Sequence, residues 1–77
     1  MWNNINNKLY KKFECKNFVH AFSFMTAVAI AAEKMNHHPT WTNTYNIVEI
    51  WLSTHDEGNV VTAKDEQLAA IIDALFK

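Results

Sequence analysis

Between Lys8 and Cys15 the chain alternates: Leu9, Lys11, Phe13 and Cys15 fall on one face, and Lys8, Tyr10, Lys12 and Glu14 on the other. Period two predicts a strand half buried through Leu9 and Phe13. Ahead of it Asn3, Asn4, Asn6 and Asn7 form a turn-prone stretch, since asparagine tolerates left-handed backbone. With Trp2 on its far side, that stretch predicts a hairpin. From Phe18 the period lengthens, with Phe18, Phe22, Met25, Val28 or Ala29, and Ala32 recurring every three or four residues among good helix formers. The spacing predicts a helix capped by Asn17 and running to about Met35. It must end before Pro39, which disfavours helical backbone at His38 and places His37 and His38 in an extended exit loop.

A second alternation runs from Tyr45 to His55. Asn46, Val48, Ile50, Leu52 and Thr54 share the expected core face, while Tyr45, Ile47, Glu49, Trp51, Ser53 and His55 face away. On that far side Tyr45, Ile47 and Trp51 form an apolar surface suited to a ligand wall or a subunit contact. Asp56-Glu57-Gly58-Asn59 reads as a turn and Val60-Val61 as a short returning strand. Thr62-Ala63-Lys64-Asp65 is a capping-box pattern with Asp in place of the usual Glu, opening a helix that buries Leu68, Ile71, Ile72 and Leu75. This order implies an α+β fold in which residues 1–77 make one domain, a four-stranded antiparallel sheet with two helices packed on one face.

Composition narrows the picture further. Hydrophobic residues make up 49% and charged residues 19% of the 77, the balance of a globular chain. So short a chain buries a modest core, and Cys15, the only cysteine, can form no intramolecular disulfide, so a homo-oligomer and a reducing, cytoplasmic setting are expected. Net charge is −1 and the seven basic residues, all lysine, are scattered, which argues against a nucleic-acid partner. The longest apolar stretch, Ala27 to Ala32, falls far short of the ~20 residues of a membrane helix.

Three of the four histidines, His37, His38 and His55, flank predicted element ends. Imidazole, with an unperturbed pKa near 6.5, donates or accepts protons near neutrality. Glu33, four residues before His37, shares its helix face if the helix persists, and is placed to orient that ring. Histidines near helix ends also commonly remain solvated or bond a free carbonyl. Zinc is the rival use, but adjacent histidines in extended chain point to opposite sides, and no cysteine or clear carboxylate completes a ligand set. His20 is expected at the surface and Cys15 in the packing.

The run Glu33-Lys34-Met35-Asn36-His37-His38-Pro39, followed by Trp41, Tyr45-Asn46, Val48, Leu52-Ser53-Thr54-His55 and Asp65, resembles the signature of the pterin-4a-carbinolamine dehydratases. The likeness spans nearly the whole chain, since Lys8 to Phe13 looks like the family's second strand and Phe18 to Thr26 like its helix. It departs at Asn36, where members commonly carry an acidic residue, and the resemblance leads one to expect a domain that starts at the family's first strand, with the family's N-terminal helix absent.

The resemblance implies loss of water from a 4a-hydroxytetrahydropterin, the product of aromatic amino acid hydroxylases, to give the quinonoid dihydropterin, without metal or organic cofactor and in a homodimer or homotetramer. Carried over by position, His37 and His55 would be the acid–base pair at the hydroxyl, and His38 would bind substrate and assist. Glu33 would orient this group, main-chain groups near Ser53, Thr54 and His55 would bond the pterin edge, and Trp41 would wall the pocket. Asp65 matches the family's acidic position but also closes the cap with Thr62, and the cap is preferred because it needs only local geometry. Two other functions stay open: a non-catalytic dimerisation or protein-binding module, since the resemblance includes a mammalian family member that also acts as a dimerisation cofactor for a homeodomain transcription factor, and a homologue serving another pterin, such as one in molybdopterin metabolism.

Overall fold

A computed structural model describes all 77 residues. The chain runs β1 (Asn3–Ile5), β2 (Lys8–Glu14), α1 (Phe18–Met35), β3 (Thr40–Thr44), β4 (Ile47–Leu52), a single 3-10 turn (His55–Glu57) and α2 (Ala63–Leu75). The four strands form one antiparallel sheet in the order β1-β2-β4-β3. Thirteen buried residues from one face of the sheet and from both helices make a single core, so the expected fold class holds.

The first hairpin is tighter than expected. Asn3 and Asn4 are strand residues, and only Asn6 and Asn7 turn the chain, at φ 52° and 63°. Two left-handed residues in succession give the two-residue turn whose twist matches the flanking strands, and asparagine is among the few side chains that accept it. The fourth strand also differs: Thr40–Thr44 pairs along β4, whereas Val60 makes only an isolated bridge to Thr54 and Val61 is in no strand. Two apolar residues signal a strand weakly, and the threonine-rich β3 is favoured because its edge position leaves one flank in water.

Helix α1 begins and ends at the expected residues. The Asn17 side chain accepts from the His20 amide at 2.8 Å. At the other end Asn36 is left-handed, at φ 52°, with its amide donating to Glu33 O at 3.0 Å and the His37 amide to Ala32 O at 3.1 Å. That pair of bonds is the Schellman closure, which suits an asparagine and turns the chain sharply at the first histidine. The buried face matches the expected one at Val28 and Ala32 but not over the first turns. Ala21, Phe24, Val28 and Ala32 face the sheet, while Phe18 and Phe22 are half exposed and stack on each other at 6.2 Å. Both stripes have helical spacing, and only the sheet decides between them. With 18 residues and a mean hydropathy of 1.2, α1 is long and apolar enough to cross a membrane by composition, which its six-residue apolar run understates; here its Ala21–Ala32 stripe lies on the sheet.

On β4, Val48, Ile50 and Leu52 are wholly buried, as their alternation predicts. In α2 the buried apolar positions are Leu68, Ala69 and Ile72, with Ile71 and Leu75 only partly covered. His20 accepts from the Lys16 amide at 2.9 Å and stacks on Phe76, so this surface residue also helps close the start of α1. Cys15 is buried, and burial raises its thiol pKa. On the opposite sheet face Tyr10 lies against Trp51 at 5.2 Å and donates to Glu49 at 2.7 Å; that hydrogen bond, with burial and the carboxylate charge, raises the phenol pKa.

Candidate active site

Three chain segments meet at one end of the sheet. The α1 exit brings Asn36 to Pro39, the end of β4 brings Ser53 to Asp56, and the start of α2 brings Lys64; together with Thr40 they line a polar cleft of ≈ 290 Å³. The volume is near the lower end of small-molecule sites, about 300 Å³. His37, His38 and His55 all line it, so residues up to 18 positions apart share one cavity. A larger groove of ≈ 420 Å³, between α1 and α2, is almost entirely apolar and holds no histidine.

His37 is the buried member. Its Nε2 lies 2.6 Å from Asp65 Oδ1, and Asp65 is completely buried. The other carboxylate oxygen, Oδ2, accepts from the Thr62 amide at 2.8 Å and from the Thr54 hydroxyl at 2.7 Å. Burial alone would raise the Asp65 pKa, but the bonds from His37, the Thr62 backbone and Thr54 outweigh it and hold the carboxyl below its ordinary range. An ionised carboxylate only accepts, so the proton between the two groups sits on Nε2. No buried side-chain nitrogen or oxygen lacks a partner, and His37 Nδ1 has none within the protein; Nδ1 therefore opens on the cleft. His37 can take up or release a proton there while Nε2–H stays on Asp65, which also balances the charge of the doubly protonated ring.

These contacts revise the sequence reading in three places. Glu33 does not orient His37: its Oε1 meets His38 Nε2 at 2.8 Å, in a pair exposed by 78% and 57%, so the contact is worth at most about 1 kcal/mol. The Schellman turn rotates the chain past His37, and a contact at i+5 replaces the helical one. Asp65 closes the capping box through Oδ2 as expected, but it also meets His37 through Oδ1, the orienting contact expected of Glu33. Trp41 pairs with Ile50 on the core face of the sheet and packs against the core, not on the cleft.

Thr54 and Ser53 separate in character. The Thr54 amide donates to Val60 O at 2.9 Å, its carbonyl accepts from Glu57 and Asn59, and its hydroxyl is taken by Asp65 and Thr62. Ser53 is half buried and borders the cleft, and His55 is exposed at its mouth without a side-chain hydrogen bond. Lys64, missed in the sequence reading, is the cleft's only lysine; its neighbours Thr62 and Asp65 were the available signal. No group of three histidine, cysteine or acidic side chains is arranged to hold a metal ion.

Asp65 carries a pH prediction with a definite sign. Its folded pKa is depressed, so its contribution to stability is present above the unfolded carboxylate value, about 3.9, and is lost as pH falls through the lower folded value. Urea denaturation of wild-type protein and Asp65→Asn should show a stability gap that is constant near neutrality and narrows in acid below about pH 4. A gap independent of pH down to the acid transition would count against the ionised dyad.

A polar cleft of three histidines, one seated on a buried aspartate, at the end of an antiparallel sheet with two helices on one face, defines a small α+β protein equipped for proton transfer. The family model for pterin 4 alpha carbinolamine dehydratase matches residues 1–75, and the chain belongs to that family. A protein of Solibacter usitatus, provisionally named a pterin-4-alpha-carbinolamine dehydratase, is 54% identical over 74 residues, covering 96% of this chain and 77% of its own length. One from Prochlorococcus marinus with the same provisional name is 50% identical, over 96% of this chain and 76% of its own. The crystal structure of a transcriptional coactivator/pterin dehydratase from Brucella melitensis superposes with a TM-score of 0.93 at 38% identity, over 99% of this chain and 82% of that one. A pterin dehydratase-like protein that is a RuBisCO assembly factor in the alpha-carboxysome shares the fold, with a TM-score of 0.78 at 24% identity over 97% of this chain and 86% of that one.

Proposed function

We propose that this chain removes water from a 4a-hydroxytetrahydropterin by histidine acid–base catalysis, returning quinonoid dihydropterin to the cofactor cycle of an aromatic amino acid hydroxylase. The observation that carries the reading is the His37–Asp65 dyad, with Nδ1 open to the same cleft that His38 and His55 line. Family membership supports the dehydratase class.

Elimination breaks the bond between C4a and its hydroxyl oxygen. One proton must reach the departing oxygen, and one must leave ring N5, whose electrons form the new double bond. The two transfers cancel, so the enzyme is unchanged in charge. His37 and His55 form the acid–base pair, one giving its proton to the departing hydroxyl as the other takes the proton from N5, and each positioned group contributes about 10²- to 10⁴-fold. His38, held through Nε2 by Glu33, contacts the substrate and assists transfer. Ser53 and the main chain beside His55 meet the polar edge of the pterin, a role that the internally bonded Thr54 does not share.

The test is the rate of dehydration followed by ultraviolet absorbance. Wild-type protein should accelerate it, and His37→Ala and His55→Ala should each lose most of the acceleration, by about 10²-fold or more. Full activity in both variants would overturn the site assignment; no activity in wild-type protein would favour another pterin or a binding role.

The reading includes a homodimer or homotetramer. Only 16 of 77 residues are buried, and α1 exposes Phe18, Val19, Phe22 and Ile30, an apolar stripe of the kind that marks interaction surfaces. The same stripe favours, as a second reading, contact with another protein. Sedimentation at micromolar concentration should give particles of at least twice the 8.9 kDa chain mass, and Phe22→Glu should shift them toward the monomer. Monomers alone at that concentration would contradict the oligomer.

A further inference from the structure

The groups around Asp65 can be assigned a direction, proton by proton. Because the ionised carboxylate only accepts, the single hydroxyl proton of Thr54 must point at Asp65 Oδ2, 2.7 Å away. The 2.7 Å contact between the Thr54 and Thr62 hydroxyls then leaves Thr62 as its donor. With its own proton spent on Thr54, the Thr62 oxygen accepts from the Lys64 amide at 3.3 Å. The result is a chain with one orientation: Lys64 amide to Thr62, Thr62 to Thr54, Thr54 to Asp65.

This chain determines how the carboxylate stands. Oδ2 is held from two sides, by the Thr62 amide of the α2 cap and by the Thr54 hydroxyl at the end of β4, whereas Oδ1 is left to His37 alone, at 2.6 Å. One bond to Oδ2 leaves the carboxylate free to swing about that contact; two donors from separate elements fix its plane. Thr54 is itself buried, 3% exposed, with its amide donating to Val60 O.

We propose that Thr54 is a positioning residue: its hydroxyl, oriented by Thr62, fixes the Asp65 carboxylate so that His37 keeps its proton on Nε2 and turns Nδ1 to the cleft. The proposal rests on the acid–base reading of His37 for its effect on rate, but not for its effect on the ring. It also accounts for a buried threonine where the sheet face otherwise presents Val48, Ile50 and Leu52: valine has the same shape but lacks the donor.

Two readouts on the folded protein test it, with Thr54→Val and Thr54→Ser. Long-range ¹H–¹⁵N spectra of the neutral His37 ring should show the Nε2–H tautomer in wild-type protein and a substantial Nδ1–H fraction in Thr54→Val. In the dehydration assay, Thr54→Val should lower kcat by about 10-fold or more, the scale on which small misplacements act, with KM changed less than about 2-fold. Thr54→Ser, which restores the donor without the methyl group, should recover the tautomer and most of kcat. A Thr54→Val protein with wild-type tautomer and kcat overturns the proposal, as does a Thr54→Ser protein as impaired as Thr54→Val, which would assign the effect to packing. If Thr54→Val does not fold, Thr54→Ala gives the same readouts, and an unchanged tautomer there is equally fatal. The ring measurement needs no substrate, so a wild-type protein inactive on pterins would sink the functional reading while the tautomer still decides the role of Thr54.

Discussion

Asp65→Asn should leave the fold intact and slow dehydration by about 10²- to 10⁴-fold, the range for removing a positioned proton-transfer group. Two donors, the Thr62 amide and the Thr54 hydroxyl, converge on Oδ2, so an asparagine must place its oxygen there and its NH₂ toward His37. The NH₂ donates, so His37 Nε2 can no longer donate to it and becomes the acceptor, and the ring proton moves to Nδ1. The neutral ring then has no lone pair at Nδ1 with which to take up a proton from the cleft, a step that either half of the acid–base exchange needs, the tautomer fault known from the serine protease triad. The capping oxygen is kept, so helix α2 should lose little. Steady-state kinetics alongside circular dichroism separates the outcomes: activity within 3-fold of wild type would refute the oriented dyad, and loss of folding would show that charge, not geometry, holds the site.

The largest effect on stability is expected from Leu52→Ala, at about 2 to 5 kcal/mol, from the lost transfer energy and the cavity left behind. A chain of 77 residues has roughly 4 to 12 kcal/mol in total at the usual value per residue, so the variant sits near its unfolding threshold. Leu52 is wholly buried, pairs with Leu9 across the sheet and immediately precedes Ser53 and Thr54, so the cavity would also loosen the strand end that carries the site. Urea denaturation measures it, with Leu75→Ala, only partly covered, as the milder comparison. A loss below about 1 kcal/mol would mean that the core closes around the gap, which the wholly buried Val48, Ile50, Leu68 and Ile72 leave little freedom to do.

The histidine trio was legible in the sequence because its positions follow from local signals. A proline after two histidines ends a helix, and an alternation expected to run to His55 brings a third imidazole near an element end, although the strand itself stops at Leu52 and His55 opens the 3-10 turn. The partners of those histidines were not legible. Glu33 at i−4 looked like the natural carboxylate for His37, yet the partner is Asp65, 28 positions away, and only the docking of α2 against the end of β4 brings it there. Asp65 itself was visible as a cap; its second oxygen was not, since a capping box uses one carboxylate oxygen and says nothing of the other.

By itself the sequence determined where α1 and α2 begin, where α1 ends, and which residues of β2 and β4 face inward. Each of these rests on capping side chains, a proline or strict period two, acting within a few residues. Only the tertiary structure decided which stripe of α1 is buried, that Thr40–Thr44 and not Val60-Val61 completes the sheet, that Trp41 packs inward, and which carboxylate meets which imidazole. Those choices depend on neighbours distant in sequence. Two apolar stripes on one helix, or two short strand candidates, satisfy local rules equally, and what separates them is the area each removes from water when the sheet and helices close on one another.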